Sequence, residues 1–93
     1  MIVAVCEINI MIYESHSLKD KRQIIKSIIG RIQSRFNVSI AEVGYNDNWK
    51  LSKLGIACVS NDNNHVNEII QNVIKFIDGD SRVEIVDYNI EMM

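Results

Sequence analysis

Proline is absent from this 93-residue chain, and 47% of its residues are hydrophobic against 24% charged. That balance excludes the composition of a disordered polypeptide, and nothing reads as a linker. One domain over residues 1–93 is therefore expected, with a two-layer core burying about 60–65% of the unfolded surface. Long apolar runs are missing too, since Glu7, Asn9 and Ser15 interrupt the first. No transmembrane span results, and the first residues lack the basic region and cleavage site of a signal peptide, so a cytoplasmic location is predicted. Only two cysteines occur, Cys6 and Cys58, too few and too far apart for a disulfide framework or a C-x-x-C metal site. Both lie within strand patterns and are expected to remain thiols that act as small core residues. No metal or other cofactor is implied.

What the chain does contain is a capped, basic, amphipathic helix. Leu18, Ile24, Ile25, Ile28, Ile29, Ile32 and Phe36 gather into one face about 140° wide, which must pack on something. Ser17 followed by Asp20 is a capping-box variant that starts the helix near Leu18. Arg31 and Arg35 oppose the negative end of the dipole, and Asn37 is expected to take the left-handed conformation that stops the helix. Between Ser15 and Ile40 six basic residues face one acid, a charge of +5; the rest of the chain carries −7, for a net −2. The net value argues against a simple DNA-coating protein, while the asymmetry points to a polyanionic partner for this one element.

The flanking segments alternate as strands. In Met1–Tyr13 the even positions Ile2, Ala4, Cys6, Ile8, Ile10 and Ile12 are wholly apolar, so this side should face the helices. Val38–Tyr45 is the next strand, but its two phases are about equally apolar and neither is assigned inward. Residues 45–49 read as a hairpin loop, with Asp47 shaping the turn. Leu51–Ser60 follows, with Leu54, Ile56 and Cys58 inward. Ser60-Asn61-Asp62 caps a second helix bearing Val66, Ile69, Ile70, Val73, Ile74 and Ile77, which ends at Asp78-Gly79-Asp80. In Arg82–Glu91 the apolar phase switches from Val83/Ile85 to Val86/Tyr88/Ile90, as a bulge requires. The order βαββαβ, with right-handed crossovers, gives an α+β, ferredoxin-like two-layer sandwich: a four-stranded antiparallel sheet of order 4-1-3-2 with both helices on one face. Ile24, Ile28, Ile69 and Ile74 are expected to bury against Ile2, Ile8, Leu54 and Ile56.

The HSLK-x-KR stretch from His16, Arg35-Phe36-Asn37-Val38-Ser39, Ala41-Glu42-Val43, Asp47 with Trp49, and Val59-Ser60-Asn61-Asp62 together resemble the YlxP-like family of small uncharacterised bacterial proteins. The resemblance runs the whole chain. It implies the same ferredoxin-like fold and a genetic neighbourhood of translation and ribosome-maturation genes. It implies no activity and no binding residue.

Ferredoxin-like sheets serve many functions, and several are disfavoured here. RNA-recognition modules stack bases on central-strand aromatics, and these strands have none before Tyr13. An acylphosphatase needs an arginine and a phosphate-cradling loop where this chain has Glu14-Ser15-His16-Ser17, and a metal chaperone needs paired thiols there. The preferred reading is a non-enzymatic accessory protein that contacts structured RNA or ribosomal particles through Lys19, Arg22, Lys26, Arg31 and Arg35. The alternative is a homo-oligomeric sheet module that binds a protein or small ligand on its open face. Least favoured is a small hydrolase built on the His16 region, which has no orienting carboxylate for a Ser/His pair. His16 and Ser17 form a candidate anion site at the helix N-terminus, and Trp49 a candidate docking residue. Val3, Val5, Met11, Ala57 and Val59 form a candidate homodimer face. The bland readings are local capping for His16 and Ser17, a lid on the core for Trp49, and a solvated face for the cations.

Overall fold

A computed structural model describes residues 1–93 as β1 (Ile2–Ile12), α1 (Leu18–Arg35), β2 (Ser39–Gly44), β3 (Leu51–Ser60), α2 (Asn63–Asp78) and β4 (Val83–Met92). The sheet is antiparallel with order β2-β3-β1-β4. This is the expected 4-1-3-2 arrangement read from the other edge. Strict alternation in β1 sends Ala4, Cys6, Ile8, Ile10 and Ile12 into the core, and β3 adds Leu54, Ile56 and Cys58. The helices close over this side with Ile25, Ile28 and Ile32 from α1 and Val66, Ile70, Val73, Ile74 and Ile77 from α2. Of the residues expected in the core, Ile2, Ile24 and Ile69 are only half-buried and pack against its edge.

The helix ends follow from local chemistry. Ser17 Oγ accepts from the Asp20 N–H at 3.1 Å, and the Asp20 carboxylate accepts from the His16 N–H at 3.3 Å. This is a reciprocal cap that satisfies two amide donors at the start of α1. Asp62 caps α2 by accepting from the Asn64 N–H at 2.9 Å. The C-terminus of α1 departs from expectation: Asn37 is not left-handed, and the helix stops because Phe36 turns extended (φ −126°, ψ 143°). That turn places the Phe36 ring edge-on to Phe76 of α2, with centroids 6.0 Å apart. An aromatic contact across the helix layer, worth about 0.5–1.5 kcal/mol beyond area burial, takes the place of a left-handed stop.

The bulge expected in the last strand lies at Val86. Ile10 opposes Ile85 and Asn9 opposes Asp87, which leaves Val86 without a partner on β1. A second irregularity, unforeseen, is in β2, where Glu42 opposes Leu54 but Gly44 opposes Lys53. Val43 is the extra residue and folds across Gly55, where an added Cβ would come within 2.9 Å of a Val43 methyl. Glycine is required there by close approach.

Cys6 and Cys58 sit diagonally on adjacent strands, Cys6 opposite Ile56 and Cys58 opposite Ala4, and both are buried free thiols. Burial pushes the Cys6 thiol from 9.0 up to about 11, with the charge of Glu7 adding to the shift, and burial raises Cys58 as well. A thiol raised in the folded state favours the protonated form. Its contribution to stability is full below the ordinary value and is lost as pH rises toward the folded value. Chemical denaturation should show stability declining between pH 9.0 and about 11, and Cys6→Ala should flatten that decline. An unchanged slope would remove Cys6 as its source. In the core itself, Ile28 is 1% exposed, and Ile28→Ala should cost about 2–5 kcal/mol in urea unfolding. A cost below about 0.5 kcal/mol would remove Ile28 from the core, since a site that collapses fully still loses the transfer free energy of the deleted groups.

Candidate nucleic-acid interface

Of the six basic residues of α1, the five proposed as contacts divide into two groups. Lys19, Arg22 and Lys26, at i, i+3 and i+7, are all exposed. The ion pairs of the protein are Lys21–Glu42, Lys53–Glu7 and Arg82–Asp80, so none of the three ridge cations has an acidic partner. Arg31 and Arg35 turn toward α2. The Arg35 guanidinium lies 4.9 Å from the centroid of the Phe76 ring, and Arg31 lines an open cleft of about 630 Å³ with Lys75, Phe76, Gly79, Asp80, Ser81 and Arg82. Lys75 therefore joins Arg31 and Arg82 around the C-terminus of α2, where cations oppose its negative end. Arg82 holds Asp80 at 2.7 Å, and this hydrogen bond keeps the Asp80 carboxyl below its usual range.

Lys21, at the core edge of the helical wheel, is the most consequential polar residue of the structure. Its side chain is wholly buried, and Nζ donates to Glu42 Oε2 at 2.8 Å and to the Tyr45 carbonyl at 2.6 Å. Ser52 Oγ donates to Glu42 Oε2 at 2.6 Å, and Asn46 Nδ2 reaches Glu42 Oε1 at 3.3 Å. The first turns of α1, β2, β3 and the β2–β3 loop thus meet on one ammonium and one carboxylate. The sequence signal was available: a lysine beside the apolar stripe, and a glutamate in the same phase as Ile40.

The network fixes the loop that carries Trp49. Tyr45 adopts φ 59°, left-handed and sparsely populated for a bulky residue, with its carbonyl receiving both Lys21 Nζ and the Asn48 N–H at 3.0 Å. Asn48, and not the expected Asp47, shapes the turn, its Oδ1 accepting from the N–H groups of Lys50 and Leu51. Trp49 is 45% exposed, with Lys50 Nζ 5.8 Å from its ring centroid; Tyr45 is exposed beside Lys53. Since Lys21 ties this loop to the first turns of α1, Trp49 and Tyr45 occupy the same end of the molecule as Lys19 and Arg22.

The other candidates are placed as follows. At the start of α1 the anion position is held by the chain's own Asp20 carboxylate, and Ser17 Oγ is engaged by the Asp20 N–H. Ser15 is buried and donates to the Ser17 carbonyl at 3.0 Å. The cluster around His16 is a helix cap. On the open side of the sheet Val3 opposes Val59 and Val5 opposes Ala57, while Met11 lies beyond the Glu7–Lys53 ion pair, opposite Leu51. The patch expected to be continuous is split there, and it extends sideways onto Ala41 and Val43 of β2. No helix is long and apolar enough to cross a membrane.

If the buried pair supports this end of the fold, Lys21→Met should cost about 3–5 kcal/mol, toward the lower figure because Glu42 keeps 16% of its side chain exposed. Adding Glu42→Leu should recover most of that loss in a double-mutant cycle read by urea denaturation. A double variant whose loss equals the sum of the two single-variant losses would mean that neither charge depends on the other.

Comparison with known proteins agrees with this architecture. The family described as a protein of unknown function, DUF503, matches residues 3–90. The Bacillus subtilis (strain 168) "Uncharacterized protein YlxP" is 40% identical over 82 residues, 88% of this chain and 89% of that protein. Among solved structures, a de novo designed protein with ferredoxin fold, LFR1 1, aligns with TM-score 0.56 at 17% identity, over 100% of this chain and 84% of its own. The designed protein Foldit4 gives 0.55 at 16% identity, over 98% and 96%. These two show the fold alone.

Proposed function

Because this chain belongs to the DUF503 family and is similar to YlxP, we propose a role that its surface chemistry supports: binding the phosphate backbone of RNA through α1. The observation that carries the reading is the absence of any acidic partner for Lys19, Arg22 and Lys26, in a protein with more acids than bases. Cations left free at helical spacing form a track of positive potential that can follow a polyanion. Trp49, exposed at the same end, supplies a face on which an unpaired base can stack. The ridge positions the strand and carries no base code, so recognition is of backbone and unpaired character and not of a motif. The translation neighbourhood implied by the family resemblance makes ribosomal RNA the natural substrate, with ribosomal particles as its source.

Trp49 is the only tryptophan, so its fluorescence reports directly on base stacking. Titration with single-stranded RNA should quench it. Replacing Lys19, Arg22 and Lys26 together by Gln should lower the salt slope of log affinity by about 2 units, roughly 0.7 for each of three phosphates. Trp49→Phe should retain that slope. Equal affinity and equal salt dependence for the wild type and the triple variant would leave the ridge a solvated helix face.

A further inference from the structure

The face of the sheet away from the helices has no covering layer. Val59 is 60% exposed and Val43 53%, and with Val3, Val5, Ala41 and Ala57 they form an apolar surface over β1, β3 and β2. The molecule measures 42 × 21 × 17 Å. Charge on this side is confined: Glu84, Asp87 and Glu91 follow β4 along one edge, and Glu7 pairs with Lys53 at 3.7 Å.

We propose that this face is closed by a second copy of the chain, related by a two-fold axis running parallel to the strands between β1 and β3. Such an axis lays each residue of β1 over the β3 residue that opposes it in the register. Val3 meets Val59 of the second copy, Val5 meets Ala57, and Met11 meets Leu51; Glu7 falls over Gly55 and Asn9 over Lys53. The acidic edge strand meets β2: Glu91 lies over Ser39, Asn89 over Ala41 and Asp87 over Gly44. The apolar residues of β1 and β3 meet one another, and no acid meets an acid. Aligned stacking of two sheets is also a preferred packing mode. The other in-plane choice, an axis across the strands through the middle of β1, stacks Glu7 on Glu7 and Glu91 on Asp87, and like charges select against it.

Asn9 donates through Nδ2 to Asp87 of its own chain at 2.6 Å, so Lys53 of the second copy lies over a pair that carries a carboxylate. The apolar strip then forms the centre of the interface, with the charged residues of β4 toward its rim. Both α1 helices remain on the outer surfaces, so assembly is independent of RNA binding.

Light scattering after size exclusion, at high micromolar concentration and without RNA, should give 21.4 kDa, twice the chain mass of 10.7 kDa. Val59→Lys, at an exposed position that the monomer fold tolerates, should give 10.7 kDa with an unchanged circular dichroism spectrum. Tyr88→Lys, on the helix side of β4, should leave the dimer intact. Ser39→Glu places a like charge over Glu91 of the second copy, a contact that two intervening strands forbid within one chain, and should shift the protein to monomer, and adding Glu91→Lys should restore the dimer. A wild-type mass of 10.7 kDa, or a dimer lost in Tyr88→Lys but kept in Val59→Lys, overturns the proposal. Failure of Glu91→Lys to rescue Ser39→Glu overturns the axis.

Discussion

The Lys21–Glu42 pair is the constraint on which the sheet's register at its β2 edge depends. Side chains alternate with period two along a strand, so a slip of one residue in β2 would send Glu42 to the open side and bring Val43 inward. A purely hydrophobic inner face would tolerate that exchange, since both phases of β2 are similarly apolar. The buried ammonium of Lys21 does not tolerate it, because the slip leaves a charge in the core with no counterion. Register at a six-residue edge strand is thus specified by an ion pair, with Ser52 and Asn46 filling remaining positions on the carboxylate. The bulge at Val43 then returns the chain to the phase that places Gly44 beside Lys53.

The same pair explains which parts of the fold were legible in the sequence. β1, β3 and both helices announce themselves because, Lys21 and Ser52 apart, their inward positions are apolar, and periods of two and 3.6 are then unambiguous. The β4 bulge was legible for the same reason, since an apolar phase that changes parity needs an extra residue. β2 was not, because its inward phase ends in Glu42 and a count of apolar residues scores that position as outward. Asn37 misled for a different reason: its left-handed tolerance is a local preference, and the Phe36–Phe76 contact across two helices decided the backbone instead. Of the site, the exposed basic ridge could be read from helical spacing. The separation of Arg31 and Arg35 from it, toward α2, required knowing where the second helix lies.

Charge is distributed by layer. The outer side of α1 is basic, the β4 edge of the sheet is acidic, and between them the two charges that enter the core neutralise each other at Lys21 and Glu42. A net charge of −2 therefore says little about any one surface. A polyanion approaching α1 meets three unpaired cations, while the acids of β4 lie one layer and two strands away, at a distance where salt screens most of their repulsion.

The loop between β2 and β3 joins this electrostatic layout to the packing. A hairpin loop with an exposed tryptophan is ordinarily a mobile element, and ordering it on contact with a ligand costs free energy. Here Tyr45 is held left-handed by a carbonyl that receives two donors, one of them the buried ammonium, and Asn48 closes the turn through its side chain. The ordering cost is met during folding, by the ion pair that also sets the strand register. An aromatic face and a row of cations are consequently presented in a fixed relation to one another before any partner arrives, so a ligand that uses both gains their interactions without having to order the loop.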